Sequence, residues 1–176
     1  MKSVTTALWV ASFVCLSLLA ACKGNRDASK KGRYMKSAYK EMRKDLKEAQ
    51  VSISNDSVRV IFPNNLLFET NSDSVKAGFF PTIERFADIL TKYEATRVLV
   101  VGHTDSIGGD GDYNLKLSNR RAASASRALS AKKIAKDRLE TWGMSSKEPV
   151  ATNATEEGRA KNRRVEFIIL HNYKPE

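Results

Sequence analysis

The apolar positions of this chain change their period along its length, and each period predicts an element. Ser57-Val-Arg-Val-Ile-Phe62 alternates and then runs apolar, which predicts a strand. Pro63-Asn64-Asn65 turns the chain, and Leu66-Leu67-Phe68 is a short apolar segment before the polar Glu69-Thr70-Asn71-Ser72. Val75, Phe79, Ile83, Phe86, Ala87 and Leu90 then recur at threes and fours, predicting a long helix with that stripe buried. Arg97-Val-Leu-Val-Val-Gly102 is continuously apolar, as a strand central in a sheet would be. A second helix runs from about Tyr113 to Ala131. Its apolar face (Leu117, Ala122, Ala125, Leu129) is mostly alanine, so it can lie close to whatever it covers. A further turn is expected from Ile134 to Arg138, a strand over Leu139-Glu-Thr-Trp142, a long polar loop over 145–162 and a closing strand from Arg164 to Leu170.

The order is β-α-β-α-β-β. Helices that cross over between neighbouring strands imply an α+β fold with a mixed four-stranded sheet and the helices packed on one face.

Two segments precede that domain. Residues 30–50 carry no proline and many helix formers, with a narrow stripe of Tyr34, Met35, Ala38, Tyr39, Met42, Leu46 and Ala49. A solvated helical spacer is the favoured expectation there, over a helix that pairs with a partner. Residues 1–22 hold one lysine, Lys2, then an apolar run and small residues ending Leu19-Ala20-Ala21-Cys22. That pattern is a secretory signal rather than a stable membrane span. Its end resembles a lipoprotein processing site, at which cleavage leaves the cysteine to be acylated. The expected organisation is therefore a signal peptide over 1–21, an acylated Cys22 with a basic helical tether over 22–50, and a domain over 51–176.

Charge matters once export is granted. The net charge of +10 falls to +9 without Lys2, and +6 of that lies in residues 23–50. A cytosolic chain so basic would suggest nucleic acid. An exported, lipid-anchored one meets anionic head groups or wall polymers instead, and no nucleic acid is expected. Cys15 would leave with the signal, so the mature chain would hold Cys22 alone and no internal disulfide.

The stretch GHTDSIGGDGDYNLKLSNRRAASASRAL carries the candidate chemistry. His103 and Asp105 do not make a metal site, since the other histidine, His171, is remote in sequence and no H-E-x-x-H or CxxC is present. A strand-end histidine bonded to backbone is expected instead. There is no G-x-S-x-G elbow, no phosphate-cradling glycine motif and no proper calcium-loop spacing, so neither an enzyme nor a cofactor is expected. Asp105 at a strand end and Arg121 on the next helix could share one pocket across the flexible loop. An aspartate accepts from an ammonium and an arginine clamps a carboxylate, so together they would suit one zwitterionic group. Equally, the two could simply bridge each other.

Three motifs resemble one family. They are Gly102-His-Thr-Asp105 with Tyr113-Asn114 and Leu117-Ser118-x-x-Arg121-Ala122, then Gly158-Arg159-Ala160-x-Asn162-Arg163-Arg164-Val165, and Leu67-Phe68-Glu69-Thr70-Asn71. Together they look like the OmpA-like C-terminal domain over about residues 52–172. With the N-terminal features the whole chain is similar to the peptidoglycan-associated lipoproteins. The resemblance implies non-covalent binding of peptidoglycan stems at diaminopimelate, with Asp105 on the ammonium and Arg121 on the carboxylate. Asn114, Thr70 and Asn71 would line the pocket, while Asn162 and Arg163 would reach the rest of the stem. Which of Arg163 and Arg164 faces inward depends on strand register. Arg120 is expected to face solvent. The implied function is to tether the outer membrane to the wall from the periplasm. Docking onto an envelope complex of the Tol type, or a wall-modifying hydrolase, are the alternatives.

Overall fold

The computed structural model describes residues 29–54, 56–69, 72–108 and 112–171. The expected signal peptide over 1–21, Cys22, Thr70 and Asn71 lie outside the described residues. Among the described residues five strands form one sheet: β1 (Gln50–Ser54), β2 (Ser57–Pro63), β3 (Thr96–His103), β4 (Leu139–Gly143) and β5 (Arg164–His171). Their order is β1-β2-β5-β3-β4, with β3 and β4 parallel and every other pair antiparallel. The expected mixed sheet is present with one strand more than the periodicity predicted. That strand, QVSIS, is an edge strand with no fully buried residue, so it lacks the apolar run that announces the others.

Alternation in the three central strands sends Val58, Val60 and Phe62, Val98 and Val100, and Val165, Phe167 and Ile169 to one buried face. After β2 comes the short helix α2 (Asn64–Leu67); helix α3 (Phe80–Lys92) then brings Ile83, Phe86, Ala87 and Leu90 to the core, and α4 (Asp112–Ala131) brings Leu117, Ala122, Ala125 and Leu129. Phe62, Phe79, Phe86 and Phe167 meet mainly edge to face, with centroids as close as 5.1 Å. α3 is shorter than its stripe suggested. Lys76 is extended, a 3-10 turn covers Ala77–Phe79, and Val75 instead bridges Phe68 in an isolated antiparallel pair. Pro81, in the first turn of α3, sits where a missing N–H costs nothing.

Two further expectations are corrected. The stretch 145–162 is not all loop, because Glu156–Asn162 forms helix α5, capped by Thr155 Oγ1 accepting from Gly158 N at 3.1 Å. Nor is residues 30–50 a solvated spacer. Helix α1 (residues 29–45) is part, from Met35 onward, of the same compact unit as the sheet. Met35, Ala38, Met42 and Leu46 are fully buried, Glu41 pairs with Lys92 and accepts from Tyr93, and Glu48 pairs with Arg85 at 2.6 Å. The apolar stripe is real and has a partner. Among the described residues no helix is long and apolar enough to cross a membrane.

Candidate binding site

The end of β3 and the start of α4 are held together by close approach. Gly102 and Gly143 are register partners in β3 and β4. A Cβ on Gly102 would sit 2.2 Å from the Ser118 carbonyl oxygen, and one on Gly143 would be 2.6 Å from Asn119 N. Two glycines thus let α4 rest on the sheet at Ser118, whose hydroxyl also accepts from Ser145 N at 3.1 Å. Asn114, Leu117, Ser118 and Arg121 share the buried face of the helix at helical spacing.

Just past β3, Thr104 N donates to Ser145 O at 2.9 Å, and the chain turns at Asp105, whose Oδ1 accepts from Ile107 N at 3.0 Å. The Asn114 amide donates to Ile107 O at 2.9 Å, tying the loop to α4. The helix therefore fixes the loop carrying Asp105 through Asn114 and presents Arg121 two turns further along.

These elements enclose a cavity of about 530 Å³, lined among others by Asp105, Asn114, Arg121 and Arg163. Four expected residues are thus brought together, although the Asn114 amide is spent on the loop. Asn162 is not among them. Its buried side chain accepts from Val150 N and Ala151 N and donates to Ala151 O and Asn153, stapling the loop before α5. The register question is settled as well, since Arg163 faces the cavity while Arg164 is buried against Glu166 at 2.7 Å. Arg120 is half exposed and pairs with Asp73. His103 is buried, and neither ring nitrogen has a hydrogen-bond partner among the described residues, so the expected backbone bond is absent. Burial above all, and then the neighbouring Arg164, lower its pKa to about 4, against the opposing pull of Glu166.

Asp105 and Arg121 do not bridge each other. Asp105 Oδ2 pairs with Arg163 at 2.6 Å, and the same guanidinium reaches Glu156 on α5. Burial alone would lower the pKa of Arg163, but its bonds to Asp105 and Glu156 carry it above the ordinary arginine value. Glu156 is held below the usual carboxylate range by Arg163 and then Arg159. Arg121 is 4% exposed. It donates to Ser72 O at 3.0 Å and stacks 5.6 Å over the Phe68 ring, and no carboxylate pairs with it among the described residues. Burial lowers its pKa, opposed by Tyr113, Asp73 and Asp105, yet an arginine stays charged. The cavity is therefore polarised. Asp105 and Glu156 share Arg163, Glu156 is also paired with Arg159, and Arg121 has no paired carboxylate among the described residues.

Glu156 and Lys76, both in the lining, were not anticipated from the sequence. Glu156 lay in the stretch read as loop, where only Thr155 followed by an acidic pair hinted at a helix start. Lys76 lay within the stretch read as helix.

Comparison with known proteins agrees with this architecture. The model of the OmpA family matches residues 67–163, which include Asp105, Asn114, Arg121 and Arg163. Probable lipoprotein YiaD of Escherichia coli (strain K12) is 36% identical over 140 residues, which is 78% of this chain but 64% of that protein, so the chain spans less than two thirds of that relative. The cell wall anchor of the T6SS from Pseudomonas aeruginosa superposes with a TM-score of 0.69 at 36% identity, over 77% of this chain and 97% of the other. The peptidoglycan-associated lipoprotein from Burkholderia pseudomallei gives 0.54 at 29% identity, over 59% and 87%. The family match covers more than half of the chain and contains both charged ends of the cavity, and the chain belongs to the OmpA family.

Proposed function

We propose that this protein holds peptidoglycan non-covalently by gripping the terminal zwitterion of diaminopimelate in its peptide stems. The observation that carries this reading is the polarity of the cavity. An ammonium is drawn to Asp105, whose carboxylate lines the cavity and is shared only with Arg163, and a carboxylate to Arg121, which has no paired carboxylate among the described residues. A carboxylate there gains bonds from a guanidinium already desolvated and oriented by Ser72 O and Phe68, so little ordering remains to be done on binding. The ammonium must share Asp105 with Arg163 or displace it, and Glu156 gives Arg163 a second carboxylate to retain. Relatives named as a cell wall anchor and a peptidoglycan-associated lipoprotein support the same reading. The protein binds its ligand and does not turn it over.

The N-terminal segment completes the proposal. Acylated at Cys22, the chain would sit on the outer membrane with the domain in the periplasm, joining membrane to wall. Palmitate labelling in cells, with Cys22→Ser as control, tests the anchor, and an unlabelled wild type removes it. The grip is tested by affinity for soluble stem peptides ending in diaminopimelate or in lysine, which lacks the terminal carboxylate. Diaminopimelate peptides should bind at least tenfold more tightly, the order of one charge-assisted hydrogen bond. Equal binding would remove the role assigned to Arg121.

A further inference from the structure

The charged clamp occupies only part of the cavity. The lining continues along Asn64, Asn65 and Phe68 to Glu69 and Lys76, and there it meets a second, more open cavity of about 480 Å³ bounded by Leu66, Ser74, Val75 and Phe79. Glu69 and Lys76 line both, so this ion pair stands at the junction. Lys76 Nζ is anchored by donating to Asn65 O at 2.9 Å, and it pairs with Glu69 at 3.3 Å. The Glu69 side chain is 74% exposed, so that pair is readily exchanged for another anion. Next to this anchor, Asn64 is 7% exposed, and its side-chain oxygen has no hydrogen-bond partner among the described residues. A buried acceptor in that state calls for a donor.

We infer that Lys76 marks a second subsite, which takes the carboxylate next along the stem. This deepens the reading above and rests on it. In a stem whose acidic residue is linked through its side chain, that residue keeps a free α-carboxylate beside the diamino acid. The charge left over once the zwitterion is clamped is therefore negative. Lys76 is the cation placed to meet it, releasing Glu69 to solvent, and an amide N–H of the stem satisfies Asn64. The apolar wall of the second cavity, Leu66, Val75 and Phe79, accommodates the methyl-bearing residue that follows.

Calorimetric titration of the full chain, wild type and Lys76→Gln, with three probes tests this. The probes are free meso-diaminopimelate, the tripeptide alanyl-γ-glutamyl-diaminopimelate, and the same peptide with the glutamyl α-carboxylate amidated. For wild type, the acidic tripeptide should bind about tenfold more tightly than the amide, the order of one charge-assisted hydrogen bond. Lys76→Gln should abolish that difference while leaving free diaminopimelate within about twofold. A variant that still prefers the acidic tripeptide overturns the subsite. So does a variant that loses all three probes alike, since Lys76 would then only brace Asn65. If wild type binds free diaminopimelate but does not distinguish the two peptides, the subsite falls and the clamp stands. If wild type binds none of the probes, the clamp itself falls and takes the subsite with it.

Discussion

Replacing Gly102 with alanine tests whether the close seat of α4 on the sheet builds the site. The new methyl group would lie 2.2 Å from the Ser118 carbonyl oxygen, where ordinary contact begins at 3.4 Å. The oxygen is backbone in the middle of a helix and cannot swing aside, so α4 must retreat by about 1 Å or the strand must buckle, a class of overpacking that costs about 1–3 kcal/mol. The consequence for function follows from which element carries which charge. Asp105 follows β3 and Arg121 rides on α4, so the retreat moves one half of the clamp away from the other. A ligand of fixed length then keeps good geometry at one end only, and losing a charge-assisted hydrogen bond costs on the order of 1.5–3 kcal/mol. Urea unfolding followed by circular dichroism should show a lower midpoint with an unchanged slope, and titration with diaminopimelate should show affinity reduced by at least tenfold. Gly78→Ala is the control, because a Cβ there meets nothing within 4 Å, and it should change stability by no more than about 0.5 kcal/mol. A Gly102→Ala protein with wild-type midpoint and affinity would show that the close seat of α4 does not build the site.

Other outcomes follow from the same structure. Met42→Ala empties a fully buried site in α1 and should destabilise the domain by about 2–5 kcal/mol in the same unfolding assay; a change below about 0.5 kcal/mol would return α1 to the role of a free tether. His103 has a folded pKa of about 4, below its ordinary 6.5, so the folded state binds fewer protons between those values. Its contribution is complete above pH 6.5 and is lost as pH falls toward 4, on the order of 3 kcal/mol at most. Wild type should therefore lose stability over that window more steeply than His103→Gln, and parallel pH profiles would contradict the assignment. Arg163→Ala leaves Asp105 and Glu156 without their shared guanidinium, so ammonium-bearing ligands should bind with a steeper dependence on salt; an unchanged salt dependence in a folded variant would show that Arg163 does not compete at Asp105.

Much of this was legible in the sequence where one residue pattern has one solution. Of the predicted stripe, Ile83, Phe86, Ala87 and Leu90 are the buried face of α3 while Val75 and Phe79 fall before it, and the alanine face of α4 correctly announced close packing. That Asp105 and Arg121 line one cavity was readable from a strand end, a glycine-rich loop and a helix in succession. What was not legible depended on partners distant in sequence. The stripe of Met35, Ala38, Met42 and Leu46 was visible, but nothing local says whether such a stripe meets water or α3, and a strongly basic surround favoured water. The mutual bridge between Asp105 and Arg121 gave way to Arg163, 58 positions from Asp105, because only the fold shows which cation arrives first. Asn162 illustrates the same limit. Its place in a binding motif suggested a ligand contact, whereas its amide holds the loop at 150–153.

Co-sedimentation of the full chain, kept soluble in mild detergent, with purified diaminopimelate-type sacculi tests whether the polarised cavity is the grip on the wall. Wild type is compared with Asp105→Ala and Arg121→Ala, each first shown to be folded by circular dichroism. Wild type should pellet with the sacculi while both variants stay in solution. If all three pellet alike, the wall is held by general positive charge and the polarised cavity is not the grip.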